Sequence, residues 1–291
     1  MKNFAYAAPT TLAEATQLLA SATGVSRVLA GGTDLIVQLR EHLRDADLVV
    51  DIKKIPEVMS LKLSPQGLHL GAAVPCYLLY DNADISAKYS ALTDAARIIG
   101  GWQIQSRASI GGNLCNSSPA GDSLPALIAL NAKCVIAGPQ GTREVPAAEF
   151  CTGPGKNMLQ KGEVLSALLF PAWTAHSGSA YQRFIPRNEM DIAVVGAGSW
   201  VKLNAAGDTI ESARVALGAV AATPKFATEA SDFLTGKPAT EETFAQAGEL
   251  AKKIATPISD MRGTAEYRTH LVGVVVKRTL ADAVTRAKTA K

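Results

Sequence analysis

Apolar positions along the first fifty residues change their period twice. Leu12, Ala15, Leu18, Leu19 and Ala22 recur at helical spacing, and Thr11 with Glu14 three residues on reads as a T-x-x-E capping box. Residues 26–30 then read as a short strand ending in Gly31-Gly32-Thr33-Asp34, residues 35–43 as a second helix, and residues 47–51 as a buried strand. Strand and helix alternate here, which is the texture of an α/β domain.

Residues 59–73 hold two strand-like runs around the turn Ser64-Pro65-Gln66-Gly67. Residues 91–99 read as a helix that stops at Gly100-Gly101, and a loop rich in Gly, Ser and Asn is expected over residues 106–122. Asp122 then opens a helix to residue 130, with Pro125 in its first turn, where proline is tolerated. Residues 133–137 and 142–145 are strand-like. The texture changes near residue 172. Residues 181–185, 192–203 and 209–217 are strand candidates, residues 204–208 a hairpin connection, and the chain from Glu241 onward mostly helix, clearest over 265–287. Strands followed by helices predict a smaller α+β domain. The boundary is placed at residues 172–178.

The chain has 291 residues, 47% hydrophobic and 19% charged. That excludes disorder and gives one large domain or two modest ones, with a core that needs no staples. Lys and Arg number 29 against 26 Asp and Glu, a formal charge of +3 that argues against a dedicated nucleic-acid binder. Lys277, Arg278, Arg286, Lys288 and Lys291 read as the solvated face of the last helix. No apolar run reaches the length of a membrane-spanning helix, and Glu14 and Gln17 interrupt any signal-peptide pattern at the start. Cysteines at 76, 115, 134 and 151 have no C-x-x-C spacing and the four histidines are scattered, which disfavours a metal site. A reducing, cytoplasmic compartment is the expectation.

Two segments carry candidate chemistry: Ala30-Gly31-Gly32-Thr33-Asp34-Leu35 and Ala108-Ser109-Ile110-Gly111-Gly112-Asn113-Leu114-Cys115-Asn116. Paired glycines permit positive φ and close approach of the backbone to a ligand. Successive N–H groups form an anion-binding concavity, and Thr33, Ser109 and Asn113 add neutral donors. Facing each other, two such loops can hold a diphosphate without Lys or Arg; taken singly, each reads more readily as a tight turn. Rival motifs are weaker. Gly196-Ala197-Gly198 lacks the third glycine of G-x-G-x-x-G, and Gly153-Pro154-Gly155-Lys156 lacks P-loop spacing. Neither G-x-S-x-G nor H-E-x-x-H occurs.

These two segments, followed by Ser118-Pro119-Ala120-Gly121-Asp122, resemble the FAD-binding subunits of the molybdenum hydroxylases, the xanthine dehydrogenase and carbon monoxide dehydrogenase family. The resemblance covers nearly the whole chain. It includes Tyr6-x-x-Pro9-x-x-Leu12-x-Glu14-Ala15, Gln103-Ile104, Thr152-Gly153-Pro154-Gly155-Lys156, Gly162-Glu163-Val164-Leu165 and Arg187-x-x-x-Asp191-Ile192-Ala193.

The resemblance implies an α+β chain: a two-part FAD-binding domain of the PCMH type over residues 1–172, then a smaller α+β domain over 178–287. By position it implies non-covalent FAD held by Ala30, Gly31, Gly32, Thr33, Asp34 and Leu35 in the first loop and by Ser109, Gly111, Gly112 and Asn113 in the second. Asp122 falls at a cofactor-contacting position, as acceptor from ribose hydroxyls, with a plain helix N-cap as the other reading. Leu165 falls near the flavin ring, and Arg183 where the family often has Lys, with a surface salt bridge as the alternative. Ile99 replaces a common aromatic, so a core role is expected of it.

No catalytic acid or base, no metal ligand and no iron–sulfur cluster are expected in this chain. The resemblance implies a hetero-oligomer with a molybdenum-cofactor subunit and a [2Fe–2S] subunit. Electrons would pass through FAD to an external acceptor such as NAD, a quinone or oxygen. Two other readings stand beside it: a UDP-N-acetylenolpyruvoylglucosamine reductase type, which shares the FAD fold, and a scaffold that has lost its flavin.

Overall fold

The computed structural model describes residues 2–187 and 190–290; Lys291 of the basic tail lies outside the described residues. The chain begins with β1 (Ala5–Ala7), α1 (Leu12–Ser21), β2 (Ser26–Leu29), α2 (Leu35–Arg40) and β3 (Leu48–Asp51). The three strands form a parallel sheet in the order β1-β3-β2. β3 lies in the middle, and its Val49, Val50 and Asp51 are buried, as an apolar run between two neighbours requires. Ala15 and Leu19 of α1 pack against Val50 and Ile52. The capping box is present in a wider form. Thr11 Oγ1 accepts from the Glu14 amide at 3.2 Å, while the Glu14 carboxylate accepts from Thr10 N at 3.0 Å rather than from Thr11 N.

β4 (Leu61–Ser64) and β5 (Gly67–Gly71) follow, then six short helices: α3 (Tyr77–Tyr80), α4 (Ala83–Lys88), α5 (Ser90–Ala96), α6 (Trp102–Gln105), α7 (Ile110–Asn116) and α8 (Ser123–Ala129). Next come β6 (Lys133–Gly138), β7 (Gly141–Pro146), α9 (Ala147–Phe150), the small pair β8 (Cys151–Gly153) and β9 (Lys156–Asn157), and β10 (Val164–Phe170). β4-β5-β10-β6-β7 make an antiparallel sheet. β10, the central strand, carries one polar residue, Ser166, and is buried along most of its length. The α/β texture therefore holds only for the first fifty residues. An antiparallel sheet follows the parallel one, and the chain as a whole is α+β.

The expected loop over 106–122 contains α7, and this corrects the sequence reading. Glycine is a poor helix former. The Ser109 hydroxyl, accepting from the Gly112 amide at 3.0 Å, caps the turn and offsets that deficit.

The last part has β11 (Ser177–Phe184), β12 (Val195–Leu203), β13 (Ile210–Gly218) and β14 (Lys225–Phe226) in one antiparallel sheet in that order. It is covered by α10 (Thr228–Leu234), α11 (Glu241–Lys252) and α12 (Ala265–Thr289). Leu271, Val272, Val275, Val276, Leu280, Ala283 and Val284 form the buried stripe of α12, spaced by three and four. β11 starts at Ser177, earlier than its hydrophobic pattern indicates. Its small polar residues look like a linker, yet their smallness admits α12: a methyl group on Gly178 would overlap the backbone of Ala283 and Ala287. Arg286 is half-buried rather than freely solvated. It donates to both Asp94 oxygens, at 2.6 and 3.1 Å, and to the Ser179 carbonyl at 2.7 Å, tying α12 to α5 and β11. Lys277 does lie on the surface, paired with Glu241 at 2.9 Å. Among the described residues no helix is long and apolar enough to cross a membrane.

The first two sheets meet the third through α8. A Cβ at Gly198 would lie 2.6 Å from the Pro125 carbonyl, and one at Gly218 would lie 2.8 Å from Pro125 Cγ. Gly198→Ala is expected to destabilise the chain by about 1–3 kcal/mol, since backbone on both sides of the contact must shift. Urea unfolding of the variant and the parent at equal m-value measures it.

Candidate functional site

The two glycine segments converge on one cleft between the parallel sheet and the five-stranded sheet. Ala30, Gly31, Gly32, Thr33, Asp34 and Leu35 line it from one side, and Ser109, Gly111, Gly112 and Asn113 from the other. Leu165, Val164, Ile99 and Ala72 add an apolar wall. The cleft encloses about 420 Å³, within the roughly 300–1,000 Å³ of small-molecule sites.

Close packing of backbone explains the glycines better than φ does. Gly31, Gly111 and Gly112 have ordinary negative φ, and only Gly32, at +79°, needs the left-handed region. A Cβ on Gly31 would overlap the Arg107 carbonyl oxygen, so the first loop rests directly on the backbone that leads into the second. A Cβ on Gly111 would come within 2.6 Å of Ala72 Cα, where α7 sits against the end of β5. Cys76 N donates to Ala108 O at 2.8 Å and holds the same junction. Gly112 differs: a Cβ there meets only Ser109 Oγ, at 3.0 Å, and otherwise extends into open space. It is the position at which a ligand can reach the backbone.

Side chains that no motif marks orient the loops. Lys53 Nζ donates to the Ala30 carbonyl at 2.9 Å and to Asp51 Oδ1 at 2.7 Å, and Tyr6 donates to Asp51 Oδ2 at 2.8 Å. Burial alone would raise the Asp51 carboxyl, but the Lys53 and Tyr6 hydrogen bonds hold it below the usual range. Asn113 Oδ1 accepts from the Ser123 hydroxyl at 2.7 Å, which orients the amide and leaves Nδ2 as the group for a ligand. Gln38 Nε2 donates to Asn116 Oδ1 at 3.1 Å, joining α2 to α7. A bulge at Ser166 shifts the β10–β6 register beside Leu165, a common device next to sites. None of these partners is adjacent in sequence to the glycines they serve, apart from Asn113 itself.

Asp122 and Arg183 lie outside this lining. Asp122 precedes α8 but makes no side-chain cap, which corrects the N-cap reading. Its carboxylate is not open for ribose hydroxyls. Oδ2 accepts from Arg183 Nη1 at 2.6 Å and Oδ1 from the Tyr181 hydroxyl at 2.9 Å. The Arg183 salt bridge is buried, with 7% of its side chain exposed, and is not a surface pair. Burial raises the Asp122 carboxyl to about 6, against the pull of Arg183 and Tyr181. Tyr181 can reach Asp122 because residue 196, on the adjoining strand, is glycine: a Cβ there would lie 2.7 Å from the Tyr181 oxygen. Ile99 is 8% exposed and both packs in the core and lines the cleft.

The other motifs resolve simply. Gly196 and Gly198 sit inside β12, and Gly155, with φ of +66°, turns the chain between β8 and β9. Cys115 lines the cleft, but burial lifts its thiol to about 12, so it stays protonated and is a poor nucleophile. Among the described residues no group of three or more His, Cys, Asp or Glu could hold a metal ion.

A two-part nucleotide-cofactor domain, with glycine backbones facing a shared cleft, precedes an antiparallel sheet under a long helix. That combination defines a class of flavoprotein subunit. Residues 2–173 match the family described as the FAD binding domain in molybdopterin dehydrogenase, and residues 179–283 match the CO dehydrogenase flavoprotein C-terminal domain. The chain belongs to the FAD-binding subunits of the molybdenum hydroxylase family, and is an oxidoreductase subunit.

It is 33% identical over 279 residues to the xanthine dehydrogenase FAD-binding subunit of Escherichia coli O157:H7, covering 95% of this chain and 94% of that one. It is 31% identical over 283 residues to the carbon monoxide dehydrogenase medium chain of Hydrogenophaga pseudoflava, with 97% and 98% covered. The solved carbon monoxide dehydrogenase of Hydrogenophaga pseudoflava superposes with a TM-score of 0.93 at 32% identity, covering 98% of each chain. Quinoline 2-oxidoreductase from Pseudomonas putida 86 does so at 0.90 and 29% identity, covering 99% of each chain. The match of the C-terminal part separates this chain from the UDP-N-acetylenolpyruvoylglucosamine reductase type.

Two variants test the cleft. Gly112→Val is expected to fold and to lose FAD, because its side chain occupies the open space; the flavin-to-protein ratio after gel filtration, beside far-UV circular dichroism, measures both. Lys53→Met is expected to weaken FAD binding by about 10-fold, the loss of a charged hydrogen bond that fixes the Ala30 carbonyl, read by quenching of flavin fluorescence.

Proposed function

We propose that this chain is the flavoprotein subunit of a molybdenum-containing hydroxylase, where FAD links the [2Fe–2S] clusters of one partner subunit to an external acceptor. Substrate hydroxylation belongs to a second partner that carries the molybdenum cofactor. The observation that carries this reading is the convergence of both glycine segments on one cleft, with a bare backbone at Gly112 facing its open space. When bound, FAD supplies the exchange between electrons arriving one at a time and an acceptor that takes two.

The chain's own residues bind and orient. The backbone of residues 30–35 and of Ser109, Gly111 and Gly112 cradles the diphosphate, and Asn113 Nδ2 adds a neutral donor. Leu165 and Ile99 provide the apolar side for the ring. A ring placed beside Asp122 and Arg183 would meet a neutral pair, bonded at 2.6 Å, rather than a free acid and a free base. Attachment is non-covalent, because the one thiol in the cleft lining, Cys115, is held protonated. Residues 1–172 form the FAD-binding domain and residues 178–287 the C-terminal domain. NAD, a quinone or oxygen takes the electrons. The four free cysteines fit a reducing cytoplasm.

The isolated chain is expected to release FAD, not FMN, on acid precipitation and to bleach with dithionite. Anaerobic mixing with aldehydes or N-heterocycles should leave its flavin oxidised, and the same substrates should bleach it in the reconstituted complex. Bleaching of the isolated chain at the rate of the complex would make it a complete oxidoreductase and end the subunit reading.

A further inference from the structure

The glycine loops offer the diphosphate only neutral donors, yet the cleft is not neutral. Arg27 on β2 and Arg44, in the turn after α2, both line it. Arg27 is tied down, its Nε donating to the Asp45 carbonyl at 3.1 Å. Arg44 is not: among the described residues no hydrogen bond or ion pair engages its guanidinium. It lies over the turn between β8 and β9, where a Cβ on Gly155 would be 3.3 Å from Arg44 Nη2.

Burial and the neighbouring Arg44 charge both press on the protonated form of Arg27. Two guanidinium groups brought together in a half-buried cleft repel, and an anion between them removes that repulsion. The acids nearby do not fill this role. Asp45 bonds Lys2 at 2.9 Å and its charge offsets only part of the pressure on Arg27, whose pKa stays lowered, and Asp34 feels the field of Arg44 without pairing with it. The other polar side chains at this part of the lining, Gln38, Asn116 and Asn157, are uncharged. Both cations belong to the three-stranded half of the cleft, whereas Val164 and Leu165 of the apolar wall belong to β10 in the other half. A ligand with an apolar ring at one side and an anionic nucleotide at the other matches that asymmetry.

We propose that Arg44, backed by Arg27, binds the nucleoside diphosphate half of FAD and makes the cleft select FAD over smaller flavins. The proposal rests on the FAD-subunit reading above. A guanidinium suits the role because its planar fork pairs with phosphate oxygens and its face stacks on a purine. Arg44 rather than Arg27 is the residue to change, since its guanidinium holds no other part of the chain.

The test is titration of flavin-free full-length chain with FAD, FMN and riboflavin, followed by fluorescence quenching, in the parent, Arg44→Met and Arg44→Lys. For Arg44→Met the FAD Kd is expected to rise about 10- to 100-fold, with the riboflavin Kd within about 2-fold of the parent. Arg44→Lys should recover part of the loss, and raised salt should weaken FAD binding less in Arg44→Met than in the parent. An unchanged FAD Kd in Arg44→Met, with tight binding by the parent, overturns the proposal and leaves the FAD reading intact. Equal losses for FAD and riboflavin overturn it too, because they mark a structural role. If the FAD Kd holds while ADP or NADH binding to the FAD-loaded chain is lost, Arg44 serves a soluble dinucleotide, and its assignment to FAD falls. A parent that binds no FAD overturns both readings together.

Discussion

The contact of the Gly31 α-carbon with the Arg107 carbonyl sets the geometry of the cleft. A single methyl group at residue 31 would overlap that oxygen. Because it is absent, the loop leaving the parallel sheet lies directly on the chain entering α7. α7 is pressed in turn against the end of β5 at Gly111 and Ala72. Two sheets of different type thus share one rigid seam, and the backbone beside the seam is left open at Gly112. Replacing close backbone packing with side chains would separate the loops and lose the cleft between them.

Buried and half-buried charges in this chain tie together elements that are far apart in sequence. Asp122 meets Arg183 and Tyr181 across the junction with the third sheet, Asp94 meets Arg286 at the end of the last helix, and Asp51, held by Tyr6 from β1, positions Lys53 under the Ala30 carbonyl of the first loop. Such pairs contribute little net stability after desolvation, but breaking one leaves an uncompensated charge, so they hold position more than they add energy. Arg44 departs from this pattern. Its guanidinium faces the cleft with no protein partner among the described residues, which is why it reads as a group held for a ligand.

The sequence was most legible where a local rule and the tertiary structure agree. The helix at Thr11, the strands flanking Pro65 and the last helix follow from period and capping, and both depend on neighbours within a few residues. The glycine segments were legible as a pair, and the structure does bring them to one cleft. Their reason was not. Positive φ is needed at Gly32 alone, whereas Gly31 and Gly111 answer to atoms of Arg107 and Ala72, which no local pattern names. Glycine propensity argues for a loop at residues 110–116, and the Ser109 cap together with the burial of Ile110, Gly111 and Leu114 makes it helix instead.

By itself, then, the sequence determined most local elements, the two-part order of the chain and the two glycine segments that face the cleft, since each is written in short-range spacing or in a motif. Tertiary structure decided what partners those residues have. It closed Asp122 with Arg183, fastened Ala30 through Lys53, paired Arg286 with Asp94 and left Arg44 facing the cleft. Charge pairing and steric closeness act through space, at sequence separations from 23 residues for Lys53 and Ala30 to 192 for Arg286 and Asp94, and spacing along a chain carries no record of them.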